Sequence, residues 1–311
     1  MFTIFAANII NRLMKRFMLL VLPLGLLSCG SKSVATETQQ VVTDSVEVVE
    51  DSIFSPRYVY EIPLPNGYER KLVDDSTSFA YYLQHLTLKP QGTPVMYYWG
   101  EESGLTSVSY AVIDGFDLGG KDLMQCADFI IRLRAEWLYN QQRYNEIAFH
   151  FTNGWLCDYK HWAEGDRVVV KGNNTSWYHT NKGVDYSYNT FRTYLDMVFN
   201  YAGTLSLSKE LESINRFSIE VGDVFISGGS PGHAVIVLDI AKSTNPNVGA
   251  NKLFIVAEGF MPAQDPHILL NTDYIFKGTP WFDIYDLVRA GDTYINFPTY
   301  SFDYNSAKRF K

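Results

Sequence analysis

His233 has the residue type and the setting of a general base. It follows a glycine-rich breaker, Gly228-Gly229-Ser230-Pro231-Gly232, and it opens the apolar run Ala234-Val235-Ile236-Val237-Leu238. The run predicts a buried strand, and the glycine-rich segment predicts a loop before it. A histidine at the mouth of a buried strand is held in place, remains within reach of a ligand and titrates near neutral pH. The alternative is a histidine that only caps a core strand.

Cys126 is the residue that such a base can activate. It follows two glycines at 119–120, and Asp122 with Gln125 three residues later has the spacing of a capping box. This spacing predicts Cys126 in the first turn of a helix over 121–142. Unpaired backbone N–H groups and the positive end of the helix dipole lie there, and both favour the nucleophilic thiolate.

Two structural roles compete with the catalytic role of Cys126. Leu123, Cys126 and Ile130 fall on one face of the predicted helix, so the thiol can belong to the core. Cys157 is the only other cysteine after Cys29. A disulfide between Cys126 and Cys157 would remove the nucleophile, and exported chains with two cysteines often pair them.

Two segments of the chain resemble the papain-like cell-wall amidases of the NlpC and CHAP types. One is the order of a Gly-Asp turn, an apolar strand, a glycine-rich loop and a Gly-His before a second apolar strand, over 220–239. The other is Gln125-Cys126-Ala127 at a helix start. The resemblance implies a papain-like α+β domain, in which a catalytic helix packs on an antiparallel sheet. Cys126 and His233 are 107 positions apart, which exceeds the separation in the compact enzymes and implies an insertion around 149–214.

The resemblance also implies a third polar residue, on the strand after the histidine strand, that orients the imidazole. The apolar segment 253–257 predicts that strand, and Glu258 ends it. Glu258 can accept a hydrogen bond from the ring N–H of His233. Gln264 is the second candidate. The alternative for Glu258 is a solvated charge at a strand end.

The first residues have the features of a secretory leader. Arg12, Lys15 and Arg16 precede the short apolar run 17–27, and a cysteine follows in Leu-Leu-Ser-Cys. These four residues resemble a bacterial lipobox, which implies cleavage of the signal peptide 1–28 and lipidation of Cys29. The alternative is an ordinary signal peptide with an incidental cysteine. Residues 29–55 would then comprise the lipidated cysteine and a flexible tether. The tether is predicted because this segment is rich in polar and small residues.

The charge of the chain limits its partners. The net charge is −8, and removal of the three basic residues of 1–28, which contain no acidic residue, changes it to −11. This negative net charge argues against nucleic acid and anionic lipid headgroups as binding partners. Attachment to the membrane is therefore expected through the lipid on Cys29. No cofactor is expected, because the histidines lack zinc-ligand spacing and the chain has no dinucleotide or phosphate-binding fingerprint.

Residues 56–311 predict a single α+β domain, because their composition is steady and contains no second linker. Strands are predicted at 57–62, 94–99, 107–113, 166–171, 223–226, 233–240 and 253–257. Helices are predicted at 78–86, 121–142, 190–202 and 208–214, and a loop at 173–188.

A broader resemblance spans nearly the whole chain after residue 55. Its segments are LKPQGTPV, QCADFIIRLRAEWLY, FTNGW, FRTYLDMVFNYAGTLSL, GDVFISGGSPGHAVIVLD and FMPAQDPHIL. Together they resemble a Bacteroidota lipoprotein family that is built on a domain of unknown function. This resemblance implies a lipoprotein outside the cytoplasm, and it assigns no chemistry.

These features predict a lipid-anchored cysteine hydrolase of the cell envelope, anchored in the periplasm or at the outer membrane. It would be an amidase or endopeptidase that acts by acyl transfer on peptidoglycan or other envelope peptides. The alternative is a non-catalytic papain-like module that binds a glycan or peptide. Five aromatic residues are candidates to line its groove, although aromatic residues more often lie in a core: Trp155, Trp162, Trp177, Tyr178 and Tyr186.

Overall fold

The computed structural model describes residues 55–245, 251–273, 275–288 and 293–311. The predicted signal peptide 1–28, Cys29 and the tether up to residue 54 lie outside the described residues. Residues Ile53–Lys311 form one compact unit.

Five α-helices lie within the described residues: α1 Phe79–Gln84, α2 Cys126–Asn140, α3 Tyr159–Ala163, α4 Tyr188–Tyr201 and α5 Thr204–Glu210. Serine caps two of them, since the Ser78 side chain accepts from the N–H of Tyr81 and the Ser187 side chain from that of Thr190. Every helix in this part of the chain is too short or too polar to cross a membrane.

Fifteen short strands accompany the helices in the described ranges. The first seven are β1 Tyr68–Arg70, β2 Ser109–Val112, β3 Ala148–His150, β4 Leu156–Asp158, β5 Asp166–Lys171, β6 Asn174–His179 and β7 Glu212–Ser213. The others are β8 Val224–Ser227, β9 His233–Ser243, β10 Lys252–Glu258, β11 His267–Leu269, β12 Phe282–Asp283, β13 Tyr294–Asn296, β14 Ser301–Asp303 and β15 Ala307–Arg309.

Nine of these strands form one open antiparallel sheet. Its order is β2-β11-β10-β9-β8-β15-β7, with β1 also paired to β9 and β12 to β10. The strands predicted near 223, 233 and 253 are therefore adjacent and antiparallel. The predicted α+β class, with a helix packed on an antiparallel sheet, is confirmed.

The central strands are buried on both faces, which explains their uninterrupted apolar sequence. In β9, Ala234 and Ile236 join one hydrophobic cluster, whereas Val235 and Val237 join a second cluster. This alternation follows the two-residue period of a strand. The helix α2 packs in the first cluster, so its apolar face covers one side of the sheet.

Several predicted elements were wrong. Residues 57–62 hold a 3-10 helix, Val59–Glu61, and residues 94–99 make only isolated bridges. The segment 173–188 was predicted as a loop, but residues 174–179 form β6, which pairs with β5 in a hairpin. Apolar and polar residues are mixed there because the hairpin lies largely at the surface. The helix predicted at 208–214 begins earlier and ends at Glu210.

Candidate active site

The helix α2 begins at Cys126. Gln125 is its N-cap, and the backbone N–H of Gln125 donates to the Asp128 carboxylate, 3.1 Å away. The capping pair is therefore Gln125–Asp128, and the predicted Asp122–Gln125 pair was wrong. Asp122 lies before the helix, where its Oδ1 accepts from Nε2 of Gln125 at 3.1 Å and from the N–H of Ala263 at 2.7 Å. Cys126 lies in the first helical turn, as predicted.

His233 and Glu258 are in direct contact. Nε2 of His233 lies 2.7 Å from Oε2 of Glu258, and the hydroxyl of Thr299 donates to the same oxygen at 2.9 Å. An ionised carboxylate can only accept, so Nε2 of His233 carries the proton in this contact. In a neutral ring with this proton, Nδ1 carries the lone pair, and it has no hydrogen bond to another described residue. This tautomer is the one that can take a proton through Nδ1.

The antiparallel pairing of β9 and β10 produces this contact. His233 is the first residue of β9 and Glu258 is the last residue of β10. In an antiparallel pair, the start of one strand lies beside the end of its neighbour. Both side chains are buried, with 4% and 0% of the side-chain surface exposed, respectively.

The start of α2 lies against the same ends of β9 and β10. The backbone N–H of Ala234, the residue after His233, lies near enough to the Cys126 sulfur to lower the pKa of this thiol. Gly259 follows Glu258, and a Cβ atom there would lie 2.8 Å from the Gln125 carbonyl oxygen. The close approach of helix and strand therefore requires glycine at position 259.

The structure brings Cys126, His233 and Glu258 to one corner of the fold. Cys126 is partly exposed, and its sulfur lies near the backbone N–H of Ala234, the residue after His233. Among the described residues, no hydrogen bond joins the Cys126 sulfur to the His233 ring. The imidazole is thus oriented by Glu258, with Nδ1 available on its other side.

Burial decides the protonation state of Cys126. Loss of solvent and the Asp128 carboxyl raise the pKa of Cys126 to about 12, against the opposing effect of the N–H groups of Ala127 and Ala234. Burial also raises the pKa of Asp128 to about 8. Cys126 is therefore a thiol at neutral pH, and the expected preference for the thiolate at the helix start is outweighed by desolvation.

Glu258 is held as a carboxylate by two histidines. Burial would raise the pKa of Glu258, but its contacts with His233 and His267 lower it to about 2. Nε2 of His267 lies 3.5 Å from Oε1 of Glu258, which is long for a hydrogen bond, and His267 is completely buried. Nδ1 of the same ring lies 3.1 Å from the carbonyl oxygen of Asp265.

The role of His267 was missed in the sequence. Its signal is the same as that of His233, since His267 also opens an apolar run, Ile268-Leu269-Leu270. The pairing of β10 with β11 places His267 opposite Glu258. One carboxylate is therefore flanked by two histidines, which the spacing of the residues along the chain does not indicate.

Aromatic rings surround His233. The ring centroid of Phe260 lies 5.0 Å from that of His233, and the centroids of Tyr300 and Phe302 lie at 5.1 Å and 5.9 Å. The hydroxyl of Tyr300 contacts the carbonyl oxygen of Pro231 at 3.4 Å, in the loop before His233. These contacts restrict the approach of solvent to the imidazole.

Among the hydrogen bonds of the described residues, none joins Gln264 to His233. The hydroxyl of Ser103 donates to Oε1 of Gln264, and Nε2 of Gln264 donates to the carbonyl oxygen of Pro262 at 3.2 Å. Its side chain is thus used to hold the segment after Gly259. Of the two candidates for the orienting residue, the geometry favours Glu258.

Both cysteines of the described ranges are free thiols, so the disulfide alternative was wrong. Cys157 is completely buried in β4, and burial raises its pKa far above the ordinary value.

The aromatic residues suggested for a binding groove mostly pack into the fold. Trp162 is buried, and Trp155, Trp177 and Tyr186 pack against the first hydrophobic cluster. Tyr178 is 51% exposed. These residues do not form a continuous exposed platform. Four cavities of about 360 to 500 Å³ are lined by other described residues and not by Cys126, His233 or Glu258.

Comparison with known proteins gives a family and no assigned activity. No curated protein and no solved structure matches the chain. The family model described as "Domain of unknown function (4846)" matches residues 59–309, which include Cys126, His233 and Glu258. The chain therefore belongs to the family described as Domain of unknown function (4846).

Proposed function

We propose that this protein is a cysteine hydrolase in which Cys126 is the nucleophile, His233 the general base and Glu258 the residue that orients the imidazole. The observation that carries the proposal is the 2.7 Å contact of His233 with Glu258 beside the start of α2. The order of cysteine helix, histidine strand and orienting strand supports the papain-like version of the α+β fold as part of this proposal.

The chemistry is acyl transfer to water. Nδ1 of His233 accepts the Cys126 proton as the sulfur attacks an amide carbonyl carbon, and the imidazolium then protonates the amine as the C–N bond breaks. Water attacks the resulting thioester and gives a proton to Nδ1. The C–S bond breaks, and the sulfur recovers its proton. The high pKa of Cys126 means that the thiol transfers its proton during the attack, so no thiolate is stored in the resting enzyme.

Two groups would stabilise the charges that develop in this reaction. The backbone N–H of Cys126 belongs to the first turn of α2, where such groups lack a partner within the helix, so it can donate to the oxyanion. Glu258 remains ionised, because its contacts with the two histidines lower its pKa to about 2, and its negative charge favours the imidazolium of His233. Glu258 therefore acts through His233 and not on the substrate.

The proposed substrate class is a peptide of the cell envelope, such as a peptidoglycan stem peptide. Support comes from the leader, from the Leu-Leu-Ser-Cys segment that would carry lipid on Cys29, and from the acidic charge of the chain. The enzyme would then be a lipoprotein of the cell envelope. These statements rest on the sequence and on the local resemblance to the NlpC and CHAP enzymes.

A non-catalytic module is the second candidate. Two observations favour it: the pKa of Cys126 is raised to about 12, and the His233 side chain is 4% exposed beneath aromatic rings. In this case the corner around Cys126 would bind an envelope peptide or glycan without cleaving it.

An acyl-enzyme assay tests the proposal. The full-length protein is mixed with the p-nitrophenyl ester of N-acetylalanine, and the release of p-nitrophenol and the intact mass are followed. We expect a burst and an acetylalanyl adduct on Cys126. Cys126→Ala should abolish the adduct, and His233→Gln should slow its formation by about 100-fold or more. Cys157→Ala is the matched control and should behave as the wild type.

The same proteins are incubated with disaccharide–peptide fragments of peptidoglycan, and products are identified by mass spectrometry. Binding without product in the wild type, together with no adduct from the ester, would favour the non-catalytic module. An adduct of equal yield in Cys126→Ala would refute the assignment of the nucleophile.

A further inference from the structure

A second candidate site lies on the far part of α2, two turns beyond Cys126. It is a cavity of about 500 Å³ between α2, β3, α5 and the segment after β15. This volume lies in the range of small-molecule sites in proteins. None of the three residues of the proposed catalytic site lines it.

Arg134 is the unusual group in this cavity. Its guanidinium lies 4.4 Å from the ring centroid of Trp137, 5.1 Å from that of Phe310 and 5.2 Å from that of Phe79. Within the described part of the chain, it makes neither a hydrogen bond nor an ion pair. Three aromatic rings thus hold a partly buried cation whose five N–H donors are left for another molecule.

The charge of Arg134 is maintained at neutral pH despite its surroundings. Burial, together with the neighbouring Arg143, lowers the pKa of Arg134 to about 10. The Glu146 carboxylate opposes this shift, and an anion bound in the cavity would further offset the cost of holding a partly buried charge.

Besides Arg134, two cations, two carboxylates and one histidine line the cavity, so the cations exceed the carboxylates by one when Arg134 is included. They are the cations Lys209 and Lys311, the carboxylates Glu146 and Glu210, and His150. Each carboxylate already has a partner: Nε of Arg143 lies 2.7 Å from Glu146, and Nδ1 of His150 lies 3.1 Å from Glu210. Arg134 and Lys209 have no ion pair among the described residues, so both cations can interact with an anionic ligand.

The cavity also offers apolar surface. Leu138, Phe149 and Phe151 line it and are buried, and the Phe310 ring lies beside Arg134. A planar guanidinium matches a carboxylate through two parallel hydrogen bonds. Apolar walls beside this fork suit a ligand that carries an apolar group next to its acid group.

We propose that this cavity binds a small organic acid, with its carboxylate on Arg134, assisted by Lys209, and its apolar part against Leu138 and the phenylalanine rings. The proposal is independent of the chemistry at Cys126.

Isothermal titration calorimetry of the full-length protein with 3-phenylpropionate tests the site. The neutral amide, 3-phenylpropanamide, and inorganic phosphate are the comparison probes. We expect 3-phenylpropionate to bind, and the amide and phosphate to bind at least about tenfold more weakly, because a charge-assisted hydrogen bond contributes a factor of this size. Equal binding of the acid and the amide, or no binding of the acid at millimolar concentration, would refute the proposal.

Variants locate the binding site. Arg134→Gln should weaken 3-phenylpropionate binding at least about tenfold, and Arg134→Lys, which keeps the charge without the planar fork, should weaken it less. Arg167→Gln is the matched control, because the Arg167 guanidinium also lies over an aromatic ring, 4.3 Å from the ring centroid of Trp162, but does not line the cavity.

Unfolding curves establish that each variant is folded, and Lys209→Gln provides a second test at an exposed position. Lys209→Gln should weaken binding a few-fold, and Cys126→Ala should bind as the wild type does. Unchanged affinity in both folded Arg134→Lys and folded Lys209→Gln would overturn the assignment of the site.

Discussion

Nε2 of His233 lies 2.7 Å from Oε2 of Glu258, and both side chains are almost completely removed from solvent. The contact joins the first residue of β9 to the last residue of β10. It fixes the proton on Nε2 and leaves Nδ1 as the basic atom. The start of α2, with Cys126, lies beside this contact. The negative charge of Glu258 is therefore the first property to test.

Glu258→Gln should change the acid stability of the protein. The pKa of Glu258 is lowered to about 2 from an ordinary value of 4.5. A lowered pKa contributes stability that is present above the ordinary value and is lost as the pH falls to the folded-state value. The wild type should therefore lose stability between about pH 4.5 and about pH 2, and Glu258→Gln should lack this part of the loss. Urea unfolding at several pH values measures it, and parallel pH profiles of the two proteins would contradict it.

The same substitution should slow acylation of Cys126. Glutamine leaves an amide beside Nε2 of His233 and removes the negative charge that favours the imidazolium. We expect the p-nitrophenol burst to slow by about 100-fold or more, with the protein still folded at pH 7. Gln264→Ala is the comparison, since the Gln264 side chain forms its hydrogen bonds with Ser103 and Pro262. A larger loss in Gln264→Ala than in Glu258→Gln would contradict the choice of Glu258.

Gly259→Ala should separate the start of α2 from β10. A Cβ atom at this position would lie 2.8 Å from the Gln125 carbonyl oxygen and 3.1 Å from Cβ of Phe129. We expect a loss of about 1–3 kcal/mol in the free energy of unfolding and slower acylation of Cys126. Gly104→Ala is the matched control, because a Cβ there meets nothing within 4 Å, and it should change stability by less than about 0.5 kcal/mol. Similar losses in both variants would argue against the close contact.

Alkylation of Cys126 by iodoacetamide should be slow at pH 7 and should rise with pH through the alkaline range. The reason is that burial and Asp128 raise the pKa of Cys126 to about 12. Asp128→Asn should accelerate alkylation above about pH 8, where Asp128 is ionised in the wild type. Mass spectrometry after timed quenching gives the rates. Cys157 is completely buried and should react only in denaturant. A rate that is already maximal at neutral pH would show a resting thiolate and contradict the raised pKa.

Arg70→Ala should strongly destabilise the protein. Nε of Arg70 lies 2.6 Å from Oδ2 of Asp239, whose side chain is completely buried in β9. Removal of the arginine leaves a buried carboxylate without its charged partner, which costs about 3–5 kcal/mol. Lys71→Ala is the control, because the Lys71–Glu220 pair is exposed and worth about 1 kcal/mol at most. Chemical unfolding of both variants measures the difference, and equal effects would show that Asp239 is compensated by other groups.

Local patterns in the sequence were sufficient for several elements of this fold. The glycine-rich breaker before His233 and the apolar run after it predicted the loop and β9, and the helix predicted at 78–86 contains α1. The position of Cys126 in the first turn of α2 was predicted from the glycines at 119–120 and from an Asp122–Gln125 capping pair. The position is confirmed, although the capping pair is Gln125–Asp128. These signals are short-range, since caps, breakers and runs act on neighbouring residues. The hairpin β5–β6 was missed because its pairing depends on cross-strand contacts at the surface, and propensity alone does not determine these.

The sequence by itself determined the residues that carry the candidate chemistry: the cysteine at a helix start, the histidine at a strand start and the glutamate at a strand end. Tertiary structure decided which of them meet. The antiparallel pairing of β9 and β10 selected Glu258 over Gln264, and the pairing of β10 with β11 added His267. Burial raises the pKa of Cys126 and so keeps it a thiol at neutral pH. Tertiary packing also places three aromatic rings around the Arg134 guanidinium. Register and desolvation arise from contacts between distant parts of the chain, so neither can be read from spacing alone.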